Sequence, residues 1–170
     1  MAFDFKVIIA AGVLMAAHAL CFILWISGWG ASKQLESKEA GGADPSQPFV
    51  YYFVWGLFMS LTIMATTVVS ALVPWSLAKR VAHLATIFFI ILFIIPLSFV
   101  MGQTTQQFTY SDCGDLSGDA KDMCNGFKTV FVSTFFYMFV LAGKFIFAMV
   151  LYQRETVEGD SNFRQSFDRT

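Results

Sequence analysis

Two ionisable residues stand inside stretches that otherwise hold nothing of the kind. His18 sits near the middle of an apolar run, and Lys144 sits well inside another, about two turns from its end. If those runs lie in lipid, each group is costly there and is a functional hypothesis by default. Two readings follow. In the simpler one, a neutral His18 hydrogen-bonds a neighbouring helix, and Lys144 stretches its stem to reach the inner headgroups. In the sharper one, both mark a polar pocket for a lipid headgroup, an ion or a proton.

Other chemistry is scarce. His18 and His83 are the only histidines, so two bis-histidine haems lack their ligands. There is no H-E-x-x-H zinc motif, no G-x-S-x-G and no phosphate loop, and no catalytic residues, cofactor or metal site are expected. The acidic stretch Asp112, Asp115, Asp119, Asp122 lacks the EF-hand spacing and its closing Glu, so it reads as a solvated loop. Net charge is −1, which leaves no basic field for nucleic acid. No Asn-x-Ser/Thr sequon occurs.

The elements that carry these residues are four long apolar runs, at about 7–29, 49–75, 81–101 and 127–152. Hydrophobic residues make up 56% of the 170-residue chain and charged residues 14%; soluble domains carry roughly 25% charge. Mean hydropathy is +0.62. Each run can span a hydrocarbon core of about 30 Å at 1.5 Å per residue. None contains Asp or Glu. The first exceeds the 7–15 apolar residues usual in a signal peptide, so it is expected to be retained. The expected fold is therefore all-α: a four-transmembrane-helix bundle over 1–155, followed by a polar, mobile cytoplasmic tail at 156–170. Serines 161 and 166 and Thr170 in that tail, near Arg164 and Arg169, are candidate phosphorylation sites.

Trp25, Trp29, Trp55, Trp75, Tyr51, Tyr52, Tyr110 and Tyr152 fall near run ends, where aromatic anchors favour the headgroup level. Orientation follows from basic residues in short loops. The tight turn Ser76–Arg80 and the two termini hold Lys6, Lys79, Arg80, Arg154, Arg164 and Arg169, against Lys33, Lys38, Lys121 and Lys128 in the other two loops. That count of six to four places both termini on the cytoplasmic side. Cys113 and Cys124, with ten residues between them in the opposite loop, would then meet an oxidising compartment and pair. The alternative is two unrelated free thiols. Cys21 reads as a buried small hydrophobe.

Small residues at four-residue spacing let helix backbones approach. Such pairs are Gly12 with Ala16, Gly56 with Ser60, Thr66 with Ser70, and Thr67 with Ala71. Packing inside the bundle is the plain expectation, and contact between copies in a homo-oligomer the rarer one. Pro96 removes one backbone donor from the third helix and is a candidate kink.

On these features the chain resembles the MARVEL-type tetraspan proteins, nearest to the fungal eisosome-compartment plasma-membrane members. The local piece that carries it is Cys124-Asn-Gly-Phe-Lys-Thr-Val-Phe-Val-Ser-Thr-Phe-Phe-Tyr, where a loop cysteine leads straight into an aromatic-rich fourth helix. The stretch Tyr51 to Met101 looks similar as well. The claudin-like Trp-Gly-Leu-Trp is absent (Trp55-Gly56-Leu57-Phe58 stands within a run), and so is a tetraspanin Cys-Cys-Gly. The resemblance implies a non-enzymatic organiser of lateral membrane domains or membrane traffic. Such a protein would bind membrane lipids (sterol or sphingolipid) and other integral membrane proteins, in the plasma membrane or secretory-pathway vesicles. Two rivals remain: an accessory subunit of a transporter, pump or synthase, and a small channel or transporter using His18 and Lys144.

Overall fold

The computed structural model describes residues 5–39, 47–73, 75–110, 113–115 and 117–167, with side chains over 5–29, 53–73, 75–102 and most of 113–157. The positions Asp112, Arg169 and Thr170 lie outside the described residues, as do the side chains of Lys33, Lys38, Tyr51, Tyr52, Tyr110, Asp119, Ser161, Arg164 and Ser166.

Four helices follow one another: α1 (Phe5–Glu39), α2 (Gln47–Leu72), α3 (Ser76–Tyr110) and α4 (Asp119–Phe167). Each holds a segment long and apolar enough to cross a membrane, namely Phe5–Trp29, Phe53–Leu72, Ser76–Gly102 and Cys124–Val157. Successive helices run antiparallel. Trp25 of α1 meets Phe53 of α2, Thr66 of α2 meets Thr86 of α3, and Arg80 of α3 meets Glu155 of α4. The start of α1, the α2–α3 connection and the late turns of α4 therefore share one end of the bundle.

α1 runs on to Glu39, past the expected end at 29, and α4 opens at Asp119, ahead of the expected 127. Three further boundaries depart from expectation. The connection between α2 and α3 lies at 73–75, not at Ser76–Arg80, which forms the first turn of α3. Pro74 explains the shift, because it has no N–H to continue α2. The Val73 amide still donates to Val69 O at 3.0 Å, and the Lys79 amide donates to Trp75 O at 3.0 Å as α3 begins. Second, α4 does not end near Tyr152. It continues as helix to Phe167, through most of the stretch expected to be a mobile tail. Third, α3 continues to Tyr110, well past the expected end at Met101, and Pro96 is buried within it.

α1 packs most extensively along α4, α4 along α3, and α3 along α2; α1 and α2 touch least. The α1–α4 approach is tight because Gly28 allows it. A Cβ there would stand 2.8 Å from Val130 Cγ2 and 3.0 Å from the Gly126 carbonyl oxygen. The wider α1–α2 gap is filled by large rings. Trp25 stacks on Phe53 at 5.6 Å and meets Trp29 edge-on at 5.9 Å. Both tryptophans are buried, with Val100 and Val130 beside them. The expectation that Trp25 and Trp29 are headgroup anchors is thus corrected: their rings close the α1–α2 seam inside the protein. Trp55 and Trp75 do face outward.

A second core cluster joins Cys21, Met59, Ile63, Ile90, Phe93, Leu97, Tyr137 and Leu141 from all four helices. Outside it, Ile8, Val13, Leu20, Phe58, Phe88, Ile95, Phe99, Phe136 and Phe139 are exposed. In water so much exposed apolar surface would drive association. Facing acyl chains it carries no such cost, and cohesion between helices then depends on close packing and on polar ties.

Cys113 and Cys124 are disulfide-bonded, with Cα atoms 5.7 Å apart. The link ties the α3–α4 loop to the opening turns of α4. Gly118, at φ +60°, makes the turn into that helix, and its carbonyl accepts the Lys121 amide at 3.1 Å. The left-handed conformation suits glycine because no Cβ meets the following carbonyl.

Candidate functional site

Polar chemistry inside the bundle gathers at two levels. The first is a three-helix cluster at mid-depth. His18 of α1, Ser60 of α2 and Tyr137 of α4 are each fully buried. His18 Nε2 lies 2.9 Å from Ser60 Oγ and 2.8 Å from Tyr137 Oη, and the two hydroxyls are also hydrogen-bonded to each other. The Tyr137 ring stands edge-on to His18 at 5.0 Å and edge-on to Phe93 at 5.4 Å. One cluster therefore joins three helices through hydrogen bonds and reaches the fourth through a ring. His18 Nδ1, Trp25 Nε1 and Thr134 Oγ1 are buried without a hydrogen-bond partner among the described residues.

Local sequence explains how Ser60 arrives there. Gly56, one turn earlier on α2, has no side chain, so Trp25 closes onto it; a Cβ would lie 2.6 Å from Trp25 Cη2. That contact holds α2 against α1 at the level where Ser60 faces His18. Gly56 and Ser60 thus lie on an inward face. Gly12 and Ala16 do not: both are exposed, and a Cβ on Gly12 would meet nothing within 4 Å. The expectation of bundle packing at Gly12 and Ala16 is corrected, because α1 turns this face outward and its opposite face toward α4. Thr67 is half-buried and its hydroxyl donates to Ile63 O at 2.7 Å, whereas Ala71 is exposed.

The second level lies nearer the shared end. A small cavity there has room for about one water, roughly 10 Å³. All four helices line it, with Ala11 and Leu14 from α1, Thr67 and Ser70 from α2, His83 and Thr86 from α3, and Lys144 from α4. Lys144 is 2% exposed, and its ammonium lies 3.7 Å from Met15 Sδ. The reading in which its stem reaches the inner headgroups is therefore corrected: the side chain turns into the bundle, against α1. His18 does not line this cavity. His83, read from sequence only as one of two histidines, is 5% exposed and does line it.

Below the cavity, the start of α3 is latched to α4. Arg80 donates from Nη2 to Glu155 O at 2.6 Å and from Nε to the same oxygen at 3.1 Å. Lys79 pairs with the Glu155 carboxylate at 3.6 Å. This latch is partly exposed, so it contributes on the order of 1 kcal/mol or less. It fastens the start of α3 to the last residues of the Cys124–Val157 segment, beyond which α4 continues as helix to Phe167.

Among the described residues no group of three or more His, Cys, Asp or Glu could hold a metal ion. Compared with known protein families, with curated proteins and with solved structures, the chain matches none.

Proposed function

We propose that this chain is a MARVEL-like tetraspan organiser of membranes, which presents its helix faces to lipids and to other integral membrane proteins. The observation that supports this most is the His18–Ser60–Tyr137 cluster. Its hydrogen bonds run between helices and bind them together, and Phe93, Ile63, Ile90 and Leu141 fill the space around it. A protein of this kind needs a stiff bundle whose outer surface does the recognition. Here that surface is bulky and apolar on every helix, with Phe88 and Phe99 on α3 and Phe135, Phe136 and Phe139 on α4.

The orientation in this reading places the Lys79–Arg80 end and both termini in the cytoplasm. The Cys113–Cys124 loop then faces the exoplasmic side, as a disulfide prefers. The plasma membrane or secretory vesicles fit that arrangement.

The test is native extraction into lipid particles, followed by mass spectrometry of co-purifying lipids and proteins against an unrelated four-helix membrane protein. Enrichment of particular lipids or of several partners at variable ratio supports the organiser. One partner at fixed stoichiometry would favour the accessory-subunit reading instead. Solute or ion flux abolished by His18→Ala or Lys144→Met would replace both with transport.

A further inference from the structure

Among the described residues, Lys144 is a buried cation that has no use in the reading above. It is 2% exposed at membrane depth and lines a cavity built by all four helices. Glu155 is the only carboxylate within the four membrane-spanning segments. It lies about 16 Å further along α4 and is engaged by Lys79. Arg80 is spent on the Glu155 and Thr156 carbonyls. Among the described residues, then, none offers Lys144 a counter-charge. Its hydrogen-bond contact is a thioether sulfur at 3.7 Å, which is a weak acceptor.

The cavity beside it is polar where it needs to be. Thr67, Ser70 and Thr86 bring three hydroxyls, and His83 brings a ring nitrogen. Those hydroxyls bond at present to the Ile63, Thr67 and Ala82 carbonyls of their own helices, and Thr86 Oγ1 also lies 2.9 Å from Thr66 Oγ1 across the α2–α3 seam. Two demands compete here. Keeping such a local hydrogen bond is worth about 1 kcal/mol, and a helix carbonyl keeps its own N–H donor when the hydroxyl leaves. An uncompensated buried charge costs several times that. The balance favours turning one or more hydroxyls toward a charge partner of the ammonium. Size then limits the partner: room for about one water excludes a phosphate headgroup and a carboxylate side chain, and a halide, somewhat larger than a water, enters only as the hydroxyl side chains turn and give way slightly.

We propose that this cavity is a binding site for a single halide-sized anion, held by the Lys144 ammonium and by hydroxyls of Thr67, Ser70 and Thr86. The inference is independent of the organiser reading, since a structural anion fits any of the functional alternatives.

The experiment uses the full-length protein in nanodiscs of zwitterionic lipid. Chloride-35 magnetic resonance should show excess line broadening that saturates with chloride and is displaced by bromide. Lys144→Met should abolish it. The double variant Thr67→Val with Ser70→Ala keeps the lysine and should weaken chloride binding about tenfold. Replacing chloride by gluconate at equal ionic strength should lower the Tm of the native protein by about 3–5 °C, as expected for loss of a ligand at ten times its Kd. Lys144→Met should show no such difference. No excess broadening in the native protein overturns the proposal, and leaves an uncharged amine beside a water. Broadening that survives Lys144→Met overturns it too. Should Lys144→Met fail to fold, the double variant and bromide competition decide, and unchanged affinity or absent competition counts against the site.

Discussion

A histidine, a serine and a tyrosine at one depth hold three helices in place, and their coupling is measurable. Tyr137→Phe keeps the ring against Phe93 and removes the shared hydroxyl. Reversible unfolding in mixed micelles should show a loss of about 1 kcal/mol, the usual scale for an interhelical hydrogen bond in lipid. Ser60→Ala should cost a similar amount, and the double variant clearly less than the sum, because both substitutions break the same network. Strict additivity would contradict a shared cluster. His18 was legible in the sequence as a polar group looking for a neighbouring helix, since nothing else in its run could satisfy it. Its partners were not legible. Ser60 looked like a small packing residue, and Tyr137 was one aromatic among many in an aromatic-rich run. Lys144 was legible as an anomaly but not in its direction, because a lysine stem reaches either the headgroups or a neighbouring helix with equal ease.

Glycine positions separate the inward from the outward faces of helices. Gly56→Leu must displace the Trp25 ring, and should cost roughly 2–3 kcal/mol. Gly12→Leu points into open space and should stay within about 0.5 kcal/mol. Equal effects at both positions would mean that the faces of α1 and α2 are wrongly assigned. Small-residue spacing alone did not distinguish the two, because spacing reports that a face is flat and says nothing of what lies opposite. Gly28 meets backbone as well as side chain, since a Cβ there would stand 2.9 Å from the Val130 nitrogen and 3.0 Å from the Gly126 carbonyl oxygen, yet it sits beside Trp29 near a run end and gave no such signal.

Helix ends followed local chemistry that apolar counting overlooks. α2 ends at Leu72, although Trp75 extends the apolar run past it; the sequence places a proline two residues on, which has no N–H to continue a helix. At the far end of α4, the run of charges beginning at Arg154 suggested a loose tail. Lys79 and Arg80 instead fasten that helix after its apolar part is over. Arg80→Ala should therefore raise amide hydrogen exchange over 155–167 while leaving 130–145 protected, since local opening follows local support. Unchanged exchange would show that the helix needs no latch. Removing the disulfide with Cys113→Ser and Cys124→Ser should reduce stability by about 3 kcal/mol on the loop-entropy scale. Protease cleavage between α3 and α4 should rise in parallel.

At the scale of the whole molecule, four apolar helices were legible almost without inference, since long stretches without acid must hydrogen-bond internally if they enter lipid. Their neighbour order was not, because every face of every helix is apolar and only the buried polar groups and glycines mark the inside. The arrangement puts the α2–α3 connection and the late turns of α4 at one end, and the disulfide loop at the other. Labelling of single added thiols in sealed, right-side-out membranes with an impermeant maleimide tests that layout most directly. Exposed Ser117, in the disulfide loop, and exposed Ser76, beside the α2–α3 connection, are suitable sites. Ser117→Cys should react in intact membranes, and Ser76→Cys only after permeabilisation. The reverse pattern would invert the orientation, and reaction of both in intact membranes would contradict a four-pass bundle.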